Sequence, residues 1–200
     1  MAALMLLMKT RSIARPPLAP PFLKAGTLVI AHPANILLFL GPRLRLVPKD
    51  EATRLWAHQL QLTIADWVGE VHDTHHPISG GLYYEEQKRE AKQRAADFGE
   101  NRLPKFLDYF ERTLKRAPKG SGYLLGKAVS YVDLSMFQMI AGLRYAFPRT
   151  MAKLEPKYRR VVALQDQIAA RPRLAAYLSS PRRLPFNQEG IFRHYPELDG

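Results

Sequence analysis

The run LGKAVSYVD, Leu125 to Asp133, spells out a helix start in side chains. Ser130 is placed to accept the amide of Asp133, while the Asp133 carboxylate reaches back to the amide of Ser130. This is a capping box with Asp in place of the usual Glu or Gln. Val129 and Leu134 fall at the N′ and N4 positions of a hydrophobic staple. The residues that follow, Tyr131 to Leu143, are apolar enough for a buried helix. The motif stabilises a helix start and carries no chemistry.

Working outward, helical periodicity governs the chain from Lys49 onward. In PKDEATRLWAHQLQLTIADWVGEV, Asp50 is an N-cap, and Leu60, Ile64, Trp67 and Val71 form an i, i+4, i+7 stripe. Trp56 and Trp67 on this helix read as core or dimer-interface residues. A loop at HHPISGG leads to a helix expected from Tyr83 to Phe98, which Gly99 interrupts. Another is expected over Asn101–Leu114, with Pro104 tolerated in its first turn. After the loop APKGSGY come helices over Tyr131–Leu143, Lys157–Ala169 and Leu174–Ser179. No internal repeat is present.

Residues 1–48 read differently. They are rich in proline and hold six basic residues and no acid. PFLKAGTLVIAHPANILLFLG predicts a strand at Phe22 and Leu23, a turn at Ala25-Gly26, a strand at Leu28–Ile30, and a helix from Pro33 to Leu40 ending at Gly41. Two strands alone make a poor sheet. The opening MAALMLLMKTRSIARPPLAPP has its positive charges after the apolar run, opposite to a secretory signal, and its lack of acids also suits a mitochondrial presequence.

Composition bounds the function. There is no cysteine, hence no disulfide, thiolate metal site or cysteine nucleophile, which suits a reducing compartment. No apolar run is long enough to cross a bilayer. The net charge is +12. From Tyr83 to Arg116, however, acids and bases alternate as on a solvated helix face, and no nucleic-acid signature accompanies the charge. Nucleic acid is therefore not an expected partner. His72, His75 and His76, in HDTHH, have ligand-like spacing but no further partner in view, so no metal is expected.

Three stretches together resemble the cytosolic glutathione transferases, in particular bacterial, sigma, mu and alpha types. In PPFLKAGTLVIAHPANILLFLG, Pro21 stands where the family keeps a cis-proline. LQLTIADWVGEVHDTHHPI resembles the first long helix of the family's second domain, and LGKAVSYVD matches the helix-start pattern within it. The resemblance implies a mainly α chain: a truncated thioredoxin-like α/β piece over residues 1–46, followed by an all-α bundle over residues 49–200. The opening segment then reads as the helix and loop before the cis-proline strand. The β-α-β half that normally supplies the thiol-activating Tyr, Ser or Cys is missing. An exposed sheet edge is expected to make the piece poorly stable.

The resemblance implies conjugation of glutathione, a co-substrate, to a small hydrophobic electrophile, with no resident cofactor. The alternative is a non-catalytic binding or scaffold protein of the same fold. It also implies a cytoplasmic homodimer. Glutathione would meet Pro20 and Pro21 through the backbone, and His32 and Asn35 at its carboxylate end. Where the family has Gln or Glu followed by Ser or Thr, this chain has His32-Pro33, so a hydroxyl and an N–H are gone. Pro20 offers a carbonyl but no N–H. If Pro20 were the cis residue, Ala19 would recover that donor. Asp66 would reach the ammonium end across a dimer interface. Tyr145 and Phe147 would line the electrophile pocket. No catalytic hydroxyl is expected, and Tyr83, Tyr84, Tyr123, Tyr131 and Tyr145 read as packing residues.

Overall fold

A computed structural model describes Met8, residues 13–118 and residues 120–200. The helix expected over the opening segment lies outside the described residues.

The first described unit is a hairpin, β1 (Phe22–Ala25) and β2 (Leu28–Ala31), paired antiparallel with Phe22 opposite Ala31 and Ala25 opposite Leu28. The turn is centred on Gly26-Thr27, one residue later than expected. Gly26 takes φ 62° at the first central position, which only glycine adopts freely. Helix α1 (Pro33–Arg43) follows. It runs past the expected stop at Gly41 because this glycine is there for contact. A Cβ on it would lie 2.7 Å from Cδ1 of Tyr131 and 3.2 Å from Val47. The Tyr131 amide also donates to the Leu46 carbonyl at 3.0 Å, so the α/β piece docks on the helix start that holds the capping box.

The bundle begins with α2 (Glu51–Asp73), where Asp50 accepts the Thr53 amide at 2.8 Å. Leu60, Ile64, Trp67 and Val71 are all buried, as their spacing requires. Trp67 stacks on Phe106 at 5.0 Å and Phe110 at 5.9 Å. Trp56 is only partly buried.

Gln87 closes the next loop. Its amide bonds Ile78, Ser79 and Leu82 from a fully buried position, and the helix expected from Tyr83 starts only at α3 (Lys88–Asp97). Gly99 does not break the chain's path. Residues Phe98–Arg102 form a π turn in which the Leu103 amide donates to the Phe98 carbonyl, and α4 (Leu103–Arg116) continues from it. Glu70 of α2 takes bonds from Arg102 at 2.9 Å and Arg94 at 3.4 Å, tying α2 to both sides of that turn.

Helix α5 (Tyr131–Ala146) is the central element, with ten buried residues. Its capping box forms as read, and Asp133 does more than cap. It is fully buried and accepts the Ser130 amide at 2.7 Å, the Ser130 hydroxyl at 2.6 Å and the Leu124 amide at 2.8 Å. The short helices α6 (Pro148–Leu154) and α8 (Pro172–Leu178) flank α7 (Arg159–Ala169), which packs on α5 and α4.

Beyond α8 the chain forms a strap, residues 186–199, that the periodicity does not announce. Phe186 stacks on Tyr145 at 5.0 Å, and Phe192 covers Gly142. Tyr195 stacks on Tyr84 at 3.8 Å, and Tyr84 donates to Glu197 at 2.9 Å. Buried Asp199 ends the strap by accepting the amides of Arg149 at 2.7 Å and Thr150 at 2.9 Å, capping the first turn of α6 from afar.

Candidate functional site

The hairpin register decides what converges. One step beyond the last pair, Phe22 with Ala31, lie Pro21 on one strand and His32 on the other. The Pro20–Pro21 peptide is cis, so Pro20 is the residue that precedes the cis-proline, and it has no N–H to give. His32 adopts φ 70° and ψ 126°, a conformation that costs a non-glycine residue about 1–3 kcal/mol and recurs where backbone is held for a ligand. Its carbonyl accepts the Ile36 amide at 2.9 Å, the first bond of α1. Its imidazole is exposed and does not cap the helix.

Pro33 at the first helical position brings no N–H, so the first unbonded amides of α1 are those of Ala34 and Asn35. Asn35 is exposed and lines a hollow of 1010 Å³ together with Arg15, Lys24 and the hairpin residues Gly26 to Ile30. Among the described residues, Arg15 and Lys24 are the charged side chains of that lining. A helix N-terminus favours an anionic group such as a carboxylate, and Arg15 and Lys24 add positive charge to the hollow that Asn35 lines. The sequence offered His32 and Asn35 but not Arg15 or Lys24, because nothing in the spacing of these cations reveals the hollow that gathers them.

The other sequence candidates lie on the bundle. Asp66 is exposed on α2, on the same side as Leu55 and Leu62, which are 63% and 47% exposed. Beside them, Trp56, Tyr109, Arg112 and Arg116 line a separate cleft of 420 Å³. Tyr145 is covered by Phe186 of the strap. Phe147 is buried, packs 5.5 Å from Phe98, and lines a 260 Å³ cleft with Leu154 and Leu198. Tyr145 and Phe147 are thus engaged by different neighbours.

Two tyrosines of the bundle have hydroxyl partners. Tyr84 donates to Glu197, and Tyr123 accepts from Arg171 at 3.1 Å. Burial pushes Tyr84 and Tyr131 up, and Tyr158 up to about 12, so these phenols stay neutral. Among the described residues, no group of His, Cys, Asp and Glu is arranged to hold a metal ion. His75 instead uses both ring nitrogens on neighbours, His76 and the Ile191 carbonyl.

A family model for the glutathione S-transferase C-terminal domain matches residues 72–181. Among curated relatives, a glutathione S-transferase of Plasmodium yoelii yoelii is 23% identical over 131 residues, which is 66% of this chain and 55% of that protein. Glutathione S-transferase P 1 of Xenopus laevis is 28% identical over 81 residues, covering 40% of this chain and 36% of that one. The chain thus spans about half the length, or less, of these relatives. In fold, it resembles the solved glutathione S-transferase Blo t 8, with a TM-score of 0.65 at 19% identity over 82% of this chain and 70% of that one. It also resembles a monomeric glutathione S-transferase of Necator americanus, with a TM-score of 0.62 at 15% identity over 84% and 76%. A helical bundle entered through a capping box, preceded by a hairpin and a cis-proline and matched over more than half its length by that family model, belongs to the glutathione S-transferase family.

Proposed function

We propose that this chain binds glutathione at the open end of its hairpin and serves the conjugation of glutathione to hydrophobic electrophiles. The observation that carries the reading is the convergence of Pro20-Pro21, the constrained His32 and the free amides of Ala34 and Asn35, with Arg15 and Lys24 lining the adjoining hollow. The carboxylate of the γ-glutamyl end is met by the α1 amides and the dipole behind them. The carbonyl of Pro20 is an acceptor for the peptide portion. His32, exposed at the helix start, adds a donor to the carboxylate.

Conjugation needs the thiol held as thiolate near neutral pH, which a hydroxyl donor to sulfur accomplishes. In this reading the bundle tyrosines do not supply that donor: the hydroxyls of Tyr84 and Tyr123 bond within the bundle, and Tyr131 is buried. A second copy of the chain, meeting the Leu55–Leu62 side of α2, would bring Asp66 toward the ammonium end of the ligand in its partner. A cytoplasmic setting suits a cysteine-free chain of this kind.

Titration calorimetry with glutathione on the purified chain tests the binding, and turnover of a chlorodinitrobenzene substrate tests the chemistry. Asn35→Pro removes one amide donor at the third helical position, where no helix bond is lost. It should weaken glutathione about tenfold, the effect of one bond to a charged group. Unchanged affinity in a folded variant rejects the α1 terminus as the carboxylate site. Glutathione binding without turnover points to the non-catalytic alternative.

A further inference from the structure

We propose that His75 and His76 form a proton-operated clasp, which holds the C-terminal strap against the end of α2 at neutral pH and releases residues 186–195 in mild acid. The geometry fixes the protonation pattern. Nε2 of His75 lies 2.9 Å from the Ile191 carbonyl, which can only accept, so Nε2 carries the proton. Nδ1 of His75 faces Nδ1 of His76 at 2.5 Å, so in the neutral pair His76 must be the donor and His75 the acceptor. A second proton on His75 must sit on Nδ1. His76 can accept it only by shifting its own proton to Nε2, and the positive charge then stays on the buried ring between a neutral imidazole and a carbonyl.

The surroundings offer that proton no counter-charge. His75 is 1% exposed. The groups that act on it are Arg193 and the Ile191 carbonyl of the strap, and His72 and His76 of its own segment. The His72 and His76 rings stack at 5.0 Å, and the Tyr195 ring lies 6.4 Å from His75. The nearby carboxylates are engaged elsewhere: Asp73 pairs with His72 at 3.3 Å and Glu197 with Tyr84. Strap residue His194 turns away to the Ala146 carbonyl at 3.1 Å. Burial foremost, with Arg193 and the neighbouring histidines adding, holds His75 down to about 4, against the favourable effect of the Ile191 bond.

The closed clasp needs neutral His75, and the open one leaves an ordinary imidazole with pKa about 6.5. Above that pH, opening takes up no proton. Between about 6.5 and 4 each unit of acidification favours opening about tenfold. Release of residues 186–195 bares the ring of Tyr145 and the notch at Gly142 that Phe192 fills, while Asp199 keeps the chain end on α6.

Native-state thermolysin cleavage measures the opening, because Phe192 is buried in the closed strap and its bond is uncut there. The rate at Ile191 and Phe192, divided by the rate on a free peptide of the same sequence, should rise about tenfold from pH 7.5 to 5.5, with the bundle uncut. His75→Gln retains a donor for the Ile191 carbonyl but does not titrate, so its ratio should rise much less, by the share of His76, which burial and Arg193 also hold down. An unchanged ratio in the wild-type chain, the same rise in His75→Gln, or bundle cuts appearing alongside would each overturn the clasp. Should His75→Gln fail to fold, the NMR titration midpoint of the wild-type His75 ring decides. A midpoint near 4 supports the clasp, and one at or above 6.5 overturns it.

Discussion

Two helical glycines make opposite predictions under the same substitution. Gly69 lies on α2 with nothing within 4 Å of an added Cβ, so Gly69→Ala should stabilise the chain by about 0.5–1 kcal/mol through helix propensity alone. Gly142 lies in α5 beneath Phe192, and an added Cβ would stand 2.4 to 2.5 Å from three ring atoms. Ordinary carbon contacts are about 3.5–4.0 Å, so the ring must withdraw by more than an ångström. The ring sits on a strap held by side-chain bonds and stacking, whereas α5 is locked in the core, so the strap is the part that gives. Losing the burial of one phenylalanine costs about 2 kcal/mol, against the same helix gain of up to about 1. Gly142→Ala should therefore destabilise by about 1 kcal/mol, close to 2 below Gly69→Ala. Urea midpoints of the two variants provide the comparison, and thermolysin at pH 7.5 should cut the Gly142→Ala strap faster than the parent. If Gly142→Ala is as stabilising as Gly69→Ala and its strap is no more easily cut, Phe192 does not occupy that notch.

Asp133→Ala orphans three donors in a fully buried site and should cost about 3 kcal/mol, read as a fall in urea midpoint, whereas a loss under 1 kcal/mol would mean the Leu124 and Ser130 amides find other partners. Glu70 is held below the usual carboxylate range, first by its bonds from Arg102 and then by the charges of Arg102 and Arg94. Its ionised form is the folded form, so the contribution is full above pH 4.5 and fades as pH falls through the lower folded value. Glu70→Gln should lose about 1 kcal/mol at pH 7 and little near pH 3, and a deficit independent of pH would remove the ion pair as its cause. A lysine at Leu62 should shift any dimer toward monomer in sedimentation, with the fold unchanged by circular dichroism. An unaltered mass would free that face from assembly.

The bundle was legible because its signals are local. Asp50 and the Ser130–Asp133 box are caps written within four residues, and the Leu60–Val71 stripe has a single period. The hairpin was legible in kind but not in extent: strand pairing carried both strands to Ala25 and Ala31, and contact with Tyr131 carried α1 past Gly41. The strap escaped because Phe186, Phe192, Tyr195 and Asp199 act at long range and share no period. For the same reason the histidine cluster showed no further partner in the sequence, although His75 bonds a carbonyl more than a hundred residues away. At the candidate site, the backbone groups near Pro21 and His32 followed from sequence order, while Arg15 and Lys24 depended on how the chain folds around the hairpin.

The π turn at Phe98–Arg102 works as a phase corrector. On α3 the core-facing side chains are Ala91, Ala95 and Phe98, and on α4 they are Leu103, Phe106, Leu107 and Phe110. An unbroken α-helix would turn position 102 inward after Phe98, which would bring Arg102 toward the core and turn Leu103 away. The wide turn absorbs one residue, so that Leu103 takes the inward place and Arg102 is left to clasp Glu70. Losing one residue between Gly99 and Asn101 would relax the turn to a plain helix and keep both halves facing the same way. The same loss a turn earlier or later would rotate part of an apolar stripe into water. Within this long helical arm of the bundle, tolerance to a change in length is concentrated at one point.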